Sequence, residues 1–179
     1  MNAHATASAQ AGNYGEMIEP TTLKIQRVLP GSAERVWDYL TKSDLRRQWL
    51  ASGEVEMKPG APFALTWRNN ELTNPSGKIP DGFGAEHTMQ SRIVECDPPR
   101  KLKFTWGSGG DVTFTLEPRG ERTLLTVVHT GLVDRGVRTK VGPGWHAHID
   151  VLAARMGGTE AAPFWDNWSR LQKDYESRV

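Results

Sequence analysis

The chain has 179 residues, with 22 basic and 21 acidic side chains and a formal net charge of +1; its mass is 19.9 kDa and its sequence pI is near 7.9. At ~100–200 residues per domain this is one globular domain, large enough to hold together without a metal or a disulfide, and the single cysteine, Cys96, has no partner in the chain. The near balance of charge removes any overall field towards nucleic acid or anionic membranes, the 37% hydrophobic and 24% charged content excludes a disordered composition, and no apolar run approaches the ~18 residues of a spanning helix.

The first residues, MNAHATASAQAGNYGEM, are small and polar and lack the basic start and the apolar stretch of ~7–15 residues of a secretory signal. Cytoplasmic residence is the default expectation, in keeping with the lone thiol. Residues 1–20 read as a flexible arm and residues 21–179 as a single domain.

Residues 22–28 alternate apolar and polar side chains, which predicts a strand with one buried face. Pro30 and Gly31 end it. Ser32 suits an N-cap and Glu34 the positive end of the helix dipole, so a short helix carrying Val36, Trp37 and Leu40 follows. Ser43 and Asp44 open a second short helix with Leu45, Trp49 and Leu50. Residues 54–58 and 62–68, divided by Pro59-Gly60-Ala61, predict a hairpin. The stretch 69–86, rich in Asn, Gly and Pro, predicts a long mobile flap. Residues 88–95, 101–106, 111–116 and 123–130 then read as strands of an antiparallel meander. Residues 133–141 form a basic loop, with Arg135, Arg138 and Lys140. Past it, Gly142-Pro143-Gly144 leads into a helix with Trp145, Ile149, Leu152, Ala153 and Met156 on one face and Gly157-Gly158 as its stop. Pro163 opens a last helix with Phe164, Trp165, Trp168, Leu171 and Tyr175 along one side. The order is an α+β plan.

Three stretches carry a family resemblance. SAERVWDYLTKSDLRRQWL is similar to the opening of the START-like, birch-pollen-allergen-like (SRPBCC) superfamily, and specifically of its branch of heat-shock-ATPase-activator homologues. IVECDPPRKLKFTW resembles the strand-turn-strand of that branch, and GERTLLTVVHTGL followed by GWHAHIDVLAARM resembles its last strand and Gly-Trp-initiated helix. The resemblance implies a helix-grip fold: a curved antiparallel sheet of six to seven strands wraps a long C-terminal helix, two short helices lie between strands one and two, and an apolar cavity is left between sheet and helix. The 69–86 insert and the extra aromatic helix depart from the shortest members, and both can reshape the cavity mouth.

Seven Trp in one small domain exceed what core filling demands, so some are expected to line a pocket. Trp37, Trp106 and Trp145 also suit plain core; Trp49, at the end of the second helix, and Trp67, sharing a strand face with Phe63 and Leu65, are better wall candidates. Leu102, Phe104 and Trp106, then Val112, Phe114 and Leu116, then Leu125, Val127 and His129 make matching faces. Ile149 and Leu152 face them from the helix. Polar groups that interrupt an apolar wall carry the information about a ligand; here they are Arg92, His129 and His148, and the two imidazoles are placed to reach one ligand. Each can equally satisfy a nearby carbonyl.

Other chemistry finds little footing. Of His146, His148 and Asp150 only His146 and Asp150 share a helical face, and one cysteine does not make a zinc site, so no metal and no cofactor are expected. Cys96 sits between Glu95 and Asp97, which disfavour a thiolate. No catalytic residue is assigned. The leading expectation is binding of an apolar or amphipathic small molecule, lipid, hormone or polyketide-like, between sheet and helix. The alternatives are a module that stimulates a heat-shock ATPase and a polyketide cyclase or hydrolase; neither nucleic acid nor membrane insertion is expected.

Overall fold

A computed structural model describes residues 12–179. Its first strand, β1 (Glu16–Glu19), pairs antiparallel with β2 (Thr22–Pro30) at the sheet edge. The expected arm therefore ends earlier than residue 20: Lys24 reaches Glu16, and the ring of Tyr14 meets those of His146 and Tyr175. Residues 1–11 lie outside the described part. On β2, Leu23, Ile25 and Leu29 are buried, as the alternation requires. Gly31 turns the chain at φ 104°, and Ser32 accepts from the Arg35 N–H at 3.2 Å to start α1 (Ala33–Thr41). The next helix, α2 (Ser43–Arg46), is a single turn whose opening residue is not the cap; the Ser43 hydroxyl accepts instead from the Gly53 N–H at 2.9 Å.

That contact belongs to a correction. Residues 54–58 form no strand, and before β3 (Pro62–Trp67) the ladder is reduced to one bridge, Ser52 with Thr66. The backbone of Gly53 is taken by side chains, its N–H by Ser43 and its carbonyl by Arg46, while Gly60 donates to the Ile93 carbonyl at 2.8 Å. The segment is held without hairpin pairing. The meander follows as β4 (His87–Asp97), β5 (Lys101–Thr105), β6 (Asp111–Arg119) and β7 (Arg122–His129). The strands join in the order β1-β2-β7-β6-β5-β4-β3, every pair antiparallel, with a register shift in β4 between Ile93 and Glu95.

The long helix begins well before Gly144. Here α3 spans Arg135–Gly157, with Asp134 as N-cap accepting from Val137, and Pro143 sits inside it. The basic run is thus helical: Arg135 donates to the Glu176 carbonyl and Arg138 to that of Leu132, both at 2.9 Å. Gly158 closes the helix at φ 67°. The last helix, α4 (Phe164–Tyr175), buries Phe164, Trp165, Trp168, Leu171 and Tyr175, the stripe read from the sequence. It also changes the reading of residues 69–86. They are fastened to α4: Trp165 donates to Asn70, the Phe164 N–H to Thr73, the Trp165 N–H to the Ser76 carbonyl and the Lys78 N–H to Asp166, all at 2.8–2.9 Å. The expected mobile flap is largely a strap.

These elements make an α+β helix-grip fold, in which one face of the seven-stranded curved sheet closes on α3 and α4 lies beyond it. The layer between them is partly polar. Arg27 on β2 meets Asp150 at 2.8 Å, Asn167 holds the other carboxylate oxygen at 2.9 Å, and the Tyr175 hydroxyl receives the Gly15 N–H at 2.7 Å and is hydrogen-bonded to His146 Nδ1 at 3.0 Å. Gly142 lets α3 approach that hydroxyl's ring, since a Cβ there would stand 2.7 Å from Tyr175 Cδ1. Gly142→Ala gains about 1 kcal/mol of helix propensity but drives a methyl into a fully buried ring, an overpacking cost of about 1–3 kcal/mol. We expect a net loss, read as a lower urea midpoint; an unchanged or higher midpoint would show that the ring moves freely.

Candidate functional site

A cavity of about 420 Å³ opens at one end of the helix-grip layer, a size in the range of small-molecule sites. Trp67 closes it from the end of β3, Trp106 from the residue after β5, Trp145 and His148 from α3, and Trp165 and Trp168 from α4. The rings meet at offset and edge-on angles: Trp67 with Trp106 at 5.4 Å, Trp106 with Trp145 at 5.5 Å, Trp165 with Trp168 at 6.0 Å. Across the mouth, Phe83 packs on Trp165 at 4.8 Å and on Trp168 at 5.0 Å while remaining 37% exposed.

Of the residues singled out in the sequence, Trp67, Trp106, Trp145 and His148 stand at this cavity. Most others lie deeper and fill the space beneath the sheet. Phe63 meets Phe104 at 5.8 Å, Phe104 meets Phe114 at 5.5 Å, and Phe114 meets both Trp145 and Trp49; Leu65, Ile149 and Leu152 complete that buried floor. Trp49 is fully buried with its indole N–H on the Tyr39 carbonyl, and it contributes through its backbone, whose carbonyl lies 2.7 Å from His148 Nδ1. Arg92 is misplaced. It is exposed, on the outer face between inward-facing Ser91 and Ile93, and it donates to the Gly60 carbonyl at 2.6 Å. His129 lies behind the wall: its Nδ1 accepts from the Trp145 indole at 3.0 Å and its ring is 4.8 Å from that of Trp106. The two imidazoles therefore do not share one surface.

The sequence reading missed Phe83, Phe164, Trp165, Trp168 and Lys140 as wall residues. The aromatic stripe of the last helix was visible, but nothing local says that the 69–86 segment crosses it. Glu86 at the rim is bound to Arg68 at 2.9 Å. Burial lowers the imidazoles of His129 and His148 to about 4, the latter against its bond to the Trp49 carbonyl, so both are neutral at pH 7. The Cys96 thiol is pushed up by burial and then by Asp97. Among the described residues no cluster of three His, Cys, Asp or Glu stands ready for a metal ion, and no helix is long and apolar enough to cross a membrane.

The sequence model of the family described as Activator of Hsp90 ATPase homolog 1-like protein matches residues 30–157. The chain belongs to that family. A solution structure of the protein encoded by gene BPP1335 of Bordetella parapertussis is 35% identical to it, over 93% of this chain and 91% of that one, with a TM-score of 0.78. EF2215 of Enterococcus faecalis, a conserved protein of unknown function, is 19% identical over 99% and 96% of the two chains, TM-score 0.71. CalU16 of Micromonospora echinospora is 19% identical over 88% and 86%, TM-score 0.65. The last two share the fold. No curated protein matches the sequence.

Proposed function

We propose that this member of the family binds a flat apolar or amphipathic small molecule in the cavity between the sheet and the two C-terminal helices. One observation carries the reading: five indoles from four separate elements, Trp67, Trp106, Trp145, Trp165 and Trp168, border a single space of about 420 Å³. A void walled by apolar rings lacks packing contacts that a guest of matching shape restores. Burial of such a guest contributes roughly 25 cal/mol per Å² of apolar surface, from which the cost of immobilisation is subtracted. Phe83 would close over it.

Saturable binding of N-phenyl-1-naphthylamine, followed by its fluorescence, is the direct test, alongside native mass spectrometry of the purified protein. Trp106→Ala should weaken the probe at least tenfold, and Phe83→Ala should speed its release with little change in stability. Absence of saturable binding, or binding indifferent to Trp106, would overturn the proposal. The cyclase or hydrolase reading needs an acid and a base acting as a pair at the cavity, and there the carboxylate of Glu86 is engaged by Arg68. The chaperone reading rests on the family's description; a pull-down recovering a heat-shock ATPase whose turnover rises on addition would put it first.

A further inference from the structure

The protonation pattern at the cavity wall narrows the class of ligand. His148, 7% exposed, borders the cavity from α3, and its Nδ1 lies 2.7 Å from the Trp49 carbonyl oxygen. A carbonyl only accepts, so Nδ1 carries the ring proton and Nε2 is a bare lone pair. That carbonyl is held in place, because Trp49 is fully buried and its own indole is bound to Tyr39 at 2.8 Å. Among the described residues no donor reaches His148 Nε2, and the atom is not enclosed by protein as Nε2 of His129 is. Burial keeps the ring neutral, so Nε2 remains an acceptor at neutral pH.

The indole N–H bonds of the described residues are made by Trp49, Trp145 and Trp165, so the wall indoles Trp67, Trp106 and Trp168 also have hydrogen-bonding capacity to spare.

Resting on the cavity reading above, we infer that the ligand presents a hydrogen-bond donor on an aromatic or otherwise flat apolar frame, a hydroxyl above all, and that Nε2 of His148 receives it. A hydroxyl both donates and accepts, which suits a lone pair and indole N–H groups together. An ether or ketone leaves Nε2 desolvated and unpaired, and a carboxylate adds repulsion between lone pairs; leaving a buried acceptor unmet weakens binding by roughly tenfold or more.

The test compares 2-naphthol with 2-methoxynaphthalene, equal in ring and differing in the donor, by calorimetry on the wild-type protein. Naphthol should bind at least tenfold more tightly. His148→Asn retains a side-chain N–H for the Trp49 carbonyl and removes Nε2; it should abolish the tenfold preference for naphthol over the ether. The ¹⁵N resonance of His148 Nε2 should move with naphthol alone. Equal affinity of the two compounds, or a His148→Asn loss common to both, would overturn the donor requirement and leave the cavity reading standing. Failure of both compounds to bind would overturn both. The wild-type comparison needs no variant to fold.

Discussion

Acidification from pH 6.5 to 4 is expected to remove most of the protein's stability, well before the surface carboxylates are fully protonated. Burial, the largest cause in each case, lowers His129, His146 and His148 from an ordinary 6.5 to about 4; for His146, Asp150 opposes the shift and the guanidinium groups of Arg27, Arg170 and Arg178 add to it. Above pH 6.5 these imidazoles are neutral whether the chain is folded or not, and their contribution is fully present. Between 6.5 and 4 the unfolded chain takes up protons that the folded one refuses, so stability falls with falling pH. Each imidazole contributes a slope of up to about 1.4 kcal/mol per pH unit, hence about 3 kcal/mol across the window, against a total stability of ~5–15 kcal/mol for a domain. Urea unfolding at a series of pH values reads the slope directly. His148→Asn should reduce it by about a third, and a flat profile between pH 7 and 4.5 would show that the buried rings do protonate in place.

Arg46→Ala is expected to destabilise the fold by about 3 kcal/mol or more. Arg46 is 3% exposed, and its guanidinium donates to the carbonyls of Leu40 and Thr41, which α1 leaves open at its end, and to those of Ala51 and Gly53. Burial lowers its pKa to about 10, opposed by Glu54, so the group stays charged at pH 7. Truncation would leave several carbonyls in the interior without donors, together with a hole where the guanidinium stood. Arg46→Lys should recover little, because one ammonium does not span four acceptors set around a planar fork. The loss should also reach the cavity, since Leu50 is at its wall and the Trp49 carbonyl orients His148. Thermal unfolding and probe affinity measured on both variants check this; a shift below about 1 kcal/mol for Arg46→Ala would mean that water replaces the guanidinium.

The regular elements were legible where burial has a period. The inward faces of β5, β6 and β7, with Phe104, Phe114, Val127 and His129, and the stripe Phe164, Trp165, Trp168, Leu171, Tyr175 fall where alternation and helical spacing put them. The errors arose where side chains compete with backbone pairing. Ser43 and Arg46 hold the backbone of Gly53, and Ser52, not a residue of 54–58, bridges Thr66. Gly142-Pro143-Gly144 masked the continuity of α3, whose N-cap is Asp134. Proline at that position forfeits one helical bond and glycine permits close contact with Tyr175, a compromise visible only once the neighbour is known.

The α+β order of elements was legible in periodicity and turn chemistry, because each residue's preference for inside or outside is a local property that repeats along the chain, and the helix-grip arrangement came only with the family resemblance. The position of the cavity was not legible. Trp67, Trp106, Trp145 and Trp168 are far apart in sequence, and whether their rings fill a space or fence it depends on ångström-scale offsets between elements that packing alone sets. The tautomer of His148 has the same origin, since the carbonyl that decides it belongs to Trp49, 99 residues earlier in the chain.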